Sequence, residues 1–415
     1  VPKLADPLRL RCGAVLPNRM LKSAMSEALG TPAHLPPPGL GALSARWARG
    51  GVGLLITGNV MIDRRALGEP GNVVLDDEAL LQDEPARCTF EAWARGSGPT
   101  PTWVQLNHPG RQAPRFLNAE TVAPSAVGFG PALARAFAVP RAMTEAEVEG
   151  VVAAFGRSAG LVKALGFHGV QLHAAHGYLL AQFLSPLTNQ RVDRWGGPLE
   201  GRARLLFEAV AAVRAAVGPA FPVGVKLNSA DFQRGGFGED DALEVISGLS
   251  RLGVDLIEVS GGTYEAPAMV GRRASSAARE GYFLDFVARA RARLAEAPTP
   301  PALCVTGGFR SAPGMQAALD SGAVDLVGLA RPLCVDPDFP ARALAGDARP
   351  VALPDLRTGL KPVDQAAMLD VTWYENQLAR MAAGREPEPG LSPFWSIGET
   401  LWRQGSQAFK MRRAR

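Results

Sequence analysis

The sequence predicts an α/β fold, a (β/α)8 TIM barrel with a C-terminal helical extension, and three observations carry that expectation. Eight short, β-branched apolar runs alternate with longer stretches of helical periodicity through most of the 415 residues. Several runs are continuously hydrophobic, which marks strands buried on both faces. Small and polar residues gather just past the ends of the runs, where such a barrel builds its site. A doubly wound sheet is the alternative, but it would want GxGxxG after its first strand, and none is present.

In chain order the expected strands are 20–24, 53–57, 102–106, 169–173, 222–227, 255–260, 302–306 and 325–329. The clearest intervening helix opens with Thr144 and Glu147, a capping box, and sends Val148, Val151, Val152, Phe155 and Leu161–Val162 towards one side. Two connections are longer than a crossover needs. Residues 108–143, rich in Pro, Ala and Gly, read as a lid or excursion, and residues 177–204 carry more polar and aromatic groups than a plain loop requires. The β/α rhythm stops near residue 345, so the expected division is a barrel over 1–345 and an extension over 346–415. A helix is expected around 363–383, followed by a Pro-rich segment and a basic tail. Such an extension packs on the barrel or on a neighbouring subunit, which leaves a homo-oligomer open.

The bulk composition excludes several classes. The net charge is +4, with basic and acidic residues interleaved, so no nucleic-acid surface is expected. The four cysteines, Cys12, Cys88, Cys304 and Cys334, lie far apart with no CxxC spacing, which argues against a cysteine-built zinc or iron–sulfur site. No run approaches the ~20 apolar residues that span a bilayer, and the first ten residues lack the apolar core of a secretory signal. The expectation is a cytoplasmic protein that binds neither membrane nor metal.

The strand ends hold the chemistry. Met25 and Ser26 follow the first run, Gly58 and Asn59 the second, and Gln105, Asn107 and His108 the third. His173, His176 and Tyr178 follow the fourth, Lys226 and Asn228 the fifth, and Ser260–Gly262 the sixth. At the last two ends, Gly307, Gly308 and Phe309 leave backbone N–H groups bare, and Ala330 precedes Arg331, a guanidinium able to pair with phosphate. The plainer reading is that these glycines make tight turns and Arg331 meets a carboxylate. His173 and His176 can aim N–H groups at one oxygen while the Tyr178 phenol reaches a neighbouring atom. HxxH also suits zinc, but no third Asp, Glu or Cys ligand stands at the nearby ends; core packing is the remaining reading. His108 borders the rim, His168 precedes its strand as a structural residue, and His34 sits among prolines as a candidate substrate-loop residue.

The run from Gly166 to Arg204, GFHGVQLHAAHGYLLAQFLSPLTNQRVDRWGGPLEGRAR, resembles the signature of the Old Yellow Enzyme family of FMN-dependent ene-reductases. Supporting stretches are LPNRM at 16–20, WVQLNHPGR at 103–111 and the two turns after the last strands, and the resemblance runs unbroken over about residues 4–345. It implies that His173 and His176 bond the carbonyl oxygen of an enone-type substrate and that Tyr178 protonates its α-carbon. It further implies that Ala24, Met25, Ser26, Gly58, Gln105, His173 and Lys226 surround the flavin ring, while Gly307, Gly308, Phe309, Ala330 and Arg331 hold its phosphate. FMN would be the cofactor and NADH or NADPH the hydride donor.

The sequence departs from the family pattern at four places. Lys226 stands where Arg is usual, which keeps the charge and loses the planar fork. Ser26 replaces Thr or Cys, Trp195 replaces Tyr, and Ala28 stands where some relatives have Tyr. A rival from another class is a Schiff-base lyase or aldolase, with Lys226 as the amine and a substrate phosphate at Gly308 and Arg331. A third reading is a non-catalytic flavin-binding barrel, which would leave Tyr178 without a task.

Overall fold

The computed structural model describes residues 1–131, 133–266, 280–360, 363–364 and 368–413, with side chains as far as residue 405. Eight parallel strands form the barrel: β1 (Met20–Lys22), β2 (Leu54–Met61), β3 (Thr102–Asn107), β4 (Gly169–Ala174), β5 (Val223–Asn228), β6 (Leu256–Ser260), β7 (Ala302–Thr306) and β8 (Leu326–Leu329). Each pairs with its sequence neighbours, and β8 closes on β1 through Val327 opposite Met20 and Leu329 opposite Lys22. The predicted strands therefore fall within a residue or two of the observed ones, except that β2 runs on to Met61. Helices cross between strands, among them Pro38–Arg49, Glu84–Arg95, Glu145–Ala164, Leu199–Val217, Glu239–Arg251, Leu284–Arg293 and Ala312–Asp320. The third of these opens with the predicted capping box, Thr144 and Glu147 each satisfying the other's backbone N–H.

Inside the barrel, alternate residues of each strand point at the axis, and their character changes from bottom to top. Leu21, Leu54, Ile56, Trp103, Leu256, Cys304 and Leu326 pack together as the lower layer, and a small antiparallel hairpin (Leu8–Arg9 with Val15–Leu16) adds Leu10 and Leu16 beneath it. Trp103 fits there because β4 and β5 carry glycine beside it; a Cβ on Gly169 would lie 2.6 Å from the indole and one on Gly224 2.9 Å. One level up the inward residues turn polar: Gln105, Gln171, Lys226, Glu258 and Thr306. His173 lies level with Lys226 and Glu258 in the strand register.

Beyond residue 345 the extension lies on the barrel. Helix Leu369–Ala382 packs on helix Pro38–Arg49, with Trp373, Leu378 and Met381 buried. The sequence expectation needs correcting after this helix. The end of the Pro-rich segment and the start of the basic tail belong to a second helix, Pro393–Arg413, packed on the first. Pro393 opens it, a position where a missing N–H costs nothing. Prolines read as marking an irregular segment thus include a helix start. Among the described residues, no helix is long and apolar enough to cross a membrane.

Candidate active site

A cavity of about 360 Å³ opens at the C-terminal ends of the strands. Most residues singled out from the sequence line it. Ala24, Met25 and Ser26 follow β1, Gln105 and Lys226 come from β3 and β5, and His173, His176 and Tyr178 stand at the end of β4. Gly307, Gly308 and Phe309 follow β7, and Ala330 and Arg331 follow β8. Gly58 does not join them. It is buried against the end of β1, where a Cβ would meet the Met25 carbonyl oxygen at 2.7 Å, and it faces Glu27. Its neighbour Asn59 lines the cavity instead, with Oδ1 buried and without a partner.

The floor is a hydrogen-bonded set of buried polar groups. Lys226 Nζ lies 2.9 Å from Glu258 Oε1 and donates to Ser23 Oγ at 2.7 Å. Glu258 also accepts from Ser23, from Thr306 Oγ1 at 2.7 Å and from Gln171 Nε2 at 2.7 Å. Burial opposes the charge on Glu258, yet Lys226 and the two hydroxyls outweigh it and hold its pKa down at about 2. Gln105 Nε2 donates to Gln171 Oε1 at 2.7 Å, which fixes the side chain that faces the cavity. Deleting either charge would leave the other buried and unpaired, a change that commonly costs about 3–5 kcal/mol.

The wall carries the imidazoles and the phenol. Burial lowers the pKa of His173 well below the ordinary range, helped by His176 and Lys226, and takes His176 to about 3. Both rings are therefore neutral. His173 Nδ1 accepts the Ala175 N–H at 3.3 Å, which places the ring hydrogen on Nε2. His176 adopts a left-handed backbone conformation (φ 59°), its N–H bonded to Asn228 Oδ1 at 3.1 Å and its Nε2 2.8 Å from Ser260 Oγ. A non-glycine residue in that region is strained, and these two bonds hold it there. The His173 ring lies edge-on to both His176 and Tyr178, with centroids 5.1 and 4.7 Å away.

Tyr178 Oη is 3.0 Å from Tyr264 Oη. Burial first, then Tyr264 and Glu69, push the Tyr178 pKa well above its usual value, and burial takes Tyr264 up to about 12. Both phenols keep their protons. The chain has four tyrosines, and all four, with Tyr282 and Tyr374, line this cavity. Sequence reasoning picked only Tyr178. Tyr264 was within reach, four residues past the end of β6; Tyr374 comes from the extension, which no pattern tied to the barrel mouth.

Glu69 and Glu375 were also missed. Ser26 Oγ contacts Glu69 Oε2 and lies 2.7 Å from Glu375 Oε1. A hydroxyl has one hydrogen to give, so both contacts are favourable only if one carboxyl is itself protonated. Burial, then the nearby Glu375, raise the Glu69 pKa to about 8, and burial raises that of Glu375. Ser26 thus spends its hydrogen away from the cavity.

The other histidines lie elsewhere. His108 is buried beside Asp63 and Arg65 in a separate surface groove, its Nδ1 accepting the Gly110 N–H, and burial takes it down to about 4. His168 accepts the Thr102 N–H at 3.2 Å and His34 contacts the Asn72 carbonyl, both off the cavity.

Residues 3–349 match the family described as NADH:flavin oxidoreductase / NADH oxidase. The NADH-dependent flavin oxidoreductase iliE of Hypocrea jecorina is 40% identical over 358 residues, covering 80% of this chain and 87% of the relative. Morphinone reductase superposes with a TM-score of 0.69 at 25% identity, over 85% of this chain and 92% of that one. A 2-naphthoyl-CoA reductase complex shares the fold over 99% of this chain and 70% of that one, with a TM-score of 0.78 at 21% identity.

Proposed function

The chain belongs to the Old Yellow Enzyme family of NAD(P)H-dependent flavin oxidoreductases, and from that premise we propose that it reduces activated C=C bonds of α,β-unsaturated carbonyl or similarly electron-poor compounds. The observation that carries the proposal is the convergence of two neutral imidazoles and one protonated phenol on the cavity that Lys226, Gln105 and Arg331 also line.

The residues present fit FMN. Gly307 and Gly308 line the cavity together with Arg331, and Gly308 has φ 82°, where a Cβ would meet the Tyr282 ring at 2.6 Å. Asn59 Oδ1 is an orphaned buried acceptor in the same cavity. When bound, FMN takes hydride from NADH or NADPH and supplies it to the substrate β-carbon. We assign Ala24, Met25, Ser26, Gln105 and Lys226 to the ring's surroundings, and Gly307, Gly308, Phe309, Ala330 and Arg331 to the phosphate.

The protein's own part is orientation and proton management. His173 Nε2–H, with His176 beside it, donates to the substrate carbonyl oxygen, where charge grows as the β-carbon is reduced; one such donor is worth about 10²–10³ in rate. The Tyr178 phenol gives its proton to the α-carbon, a role worth about 10²–10⁴, and the hydrogen bond with Tyr264 holds the protonated phenol in place. The Schiff-base alternative loses ground because Lys226 Nζ is held in the floor by Glu258 and Ser23.

The test uses the two half-reactions. Anaerobic NADH or NADPH should bleach the yellow protein, and an enone such as 2-cyclohexenone should restore the colour. A reduced protein that dioxygen reoxidises while enones do not would refute the C=C assignment and leave an NADH oxidase.

A further inference from the structure

Helix Pro393–Arg413 has one side fixed and one side bare. Ser396 is fully buried and bonds Asn376, and Arg403 donates to the Ala28 carbonyl and to Asn376 Oδ1. The opposite side exposes Phe394 at 55%, Trp395 at 73%, Leu401 at 70% and Trp402 at 78%. Gly398 and Gly405 are exposed on the same side. The spacing is seven throughout: Phe394-Trp395 recurs as Leu401-Trp402, and a glycine follows each tryptophan by three. Seven residues are close to two helical turns, so these groups form one straight stripe.

Among the described residues nothing packs against these glycines. No atom lies within 4 Å of where a Cβ would stand on Gly398 or Gly405, and each costs a helix about 1 kcal/mol relative to alanine. Bare backbone between large side chains is a hole that fits a knob from a facing helix.

We propose that this stripe is a self-association surface on which a second copy of the chain lays the same helix antiparallel, about a two-fold axis near Thr400. In that register Trp395 of one copy lies over Gly405 of the other, and Trp402 over Gly398, and the axis repeats each contact. A parallel pairing would instead set tryptophan against tryptophan and leave the glycine holes empty. The four large side chains expose on the order of 500 Å² per chain by usual side-chain areas, so a symmetric pair hides about 1,000 Å², the size at which a specific interface begins. A lipid surface is a poorer match. Arg403, the cation within the span of the stripe, is turned inward onto Ala28 and Asn376, and the next cations in sequence, Lys410, Arg412 and Arg413, come beyond its end, whereas a membrane-lying helix flanks its apolar face with cations along its length.

The test is the mass of the full-length, FMN-loaded protein in solution by sedimentation equilibrium at micromolar concentration. The parent should weigh two chains. Trp395→Ser with Trp402→Ser should weigh one, with the flavin spectrum unchanged as evidence of folding. Gly398→Leu with Gly405→Leu should also weigh one, although it makes the face more apolar and the helix stronger. A monomeric parent, or a glycine variant that still pairs, overturns the proposal. So does parent protein that floats with phosphatidylglycerol vesicles and keeps doing so in the glycine variant, since a lipid surface has no use for the holes.

Discussion

The backbone N–H of Ala175 donates to Nδ1 of His173 at 3.3 Å, so the buried, neutral imidazole turns an N–H donor rather than an acceptor towards the cavity. His173→Ala should slow reoxidation of the reduced flavin by an enone about 10²–10³-fold. His173→Asn, whose amide can donate from a similar place, should recover part of that loss. Stopped-flow measurement of this half-reaction decides it: equal rates for the Ala and Asn variants would remove the donor role.

Tyr178 keeps its proton because burial and its neighbours disfavour the phenolate. Tyr178→Phe should slow the enone half-reaction by about 10²–10⁴ and leave flavin reduction by NADH or NADPH nearly unchanged. Tyr264→Phe should have a smaller effect in the same direction, since it removes only the hydrogen bond to Tyr178. Parallel losses in both half-reactions would show that Tyr178 positions the ring and does not deliver the proton.

The carboxyl of Glu69, raised to about 8 in the folded chain, returns to about 4.3 when unfolded. Between those values the unfolded chain has released a proton that the folded one keeps, so stability falls as pH rises. The contribution is whole below pH 4 and gone above pH 8. Glu69→Gln removes this term, and its melting temperature should gain on the parent's from pH 5 to pH 8. A difference between the two that does not change with pH would rule out the shared proton.

Gly308 has φ 82°, and a Cβ there would meet the Tyr282 ring at 2.6 Å. Gly308→Val should therefore strain the backbone by about 1–2 kcal/mol and block the turn proposed to hold the phosphate. FMN affinity, measured by quenching of flavin fluorescence, should fall at least about tenfold, the equivalent of 1.4 kcal/mol. Riboflavin, which has no phosphate, should lose less; equal losses for both would place the phosphate elsewhere.

Much of this was legible in local pattern. The eight strands show as apolar runs because they are buried on both faces, and His173, His176 and Tyr178 stand together because one strand end carries all three. Glu258 could have been read too, since it is a lone charge inside a run whose neighbours Leu256, Ile257 and Val259 are apolar. Glu69 and Glu375 could not. They meet at Ser26 across separations of 43 and 349 residues, and nothing in either segment records the other. A related limit holds at Gly58: being next to a strand end does not say which neighbour a residue faces, and Asn59 is the one that lines the cavity.

The hairpin carrying Leu10 and Leu16 packs the lower end of the barrel shut. Dinucleotide and acceptor must then come and go by the same doorway over the same floor, so the two queue for one place. At high concentration each should obstruct the other: excess acceptor slows turnover at limiting NADH, and adding NADH relieves it.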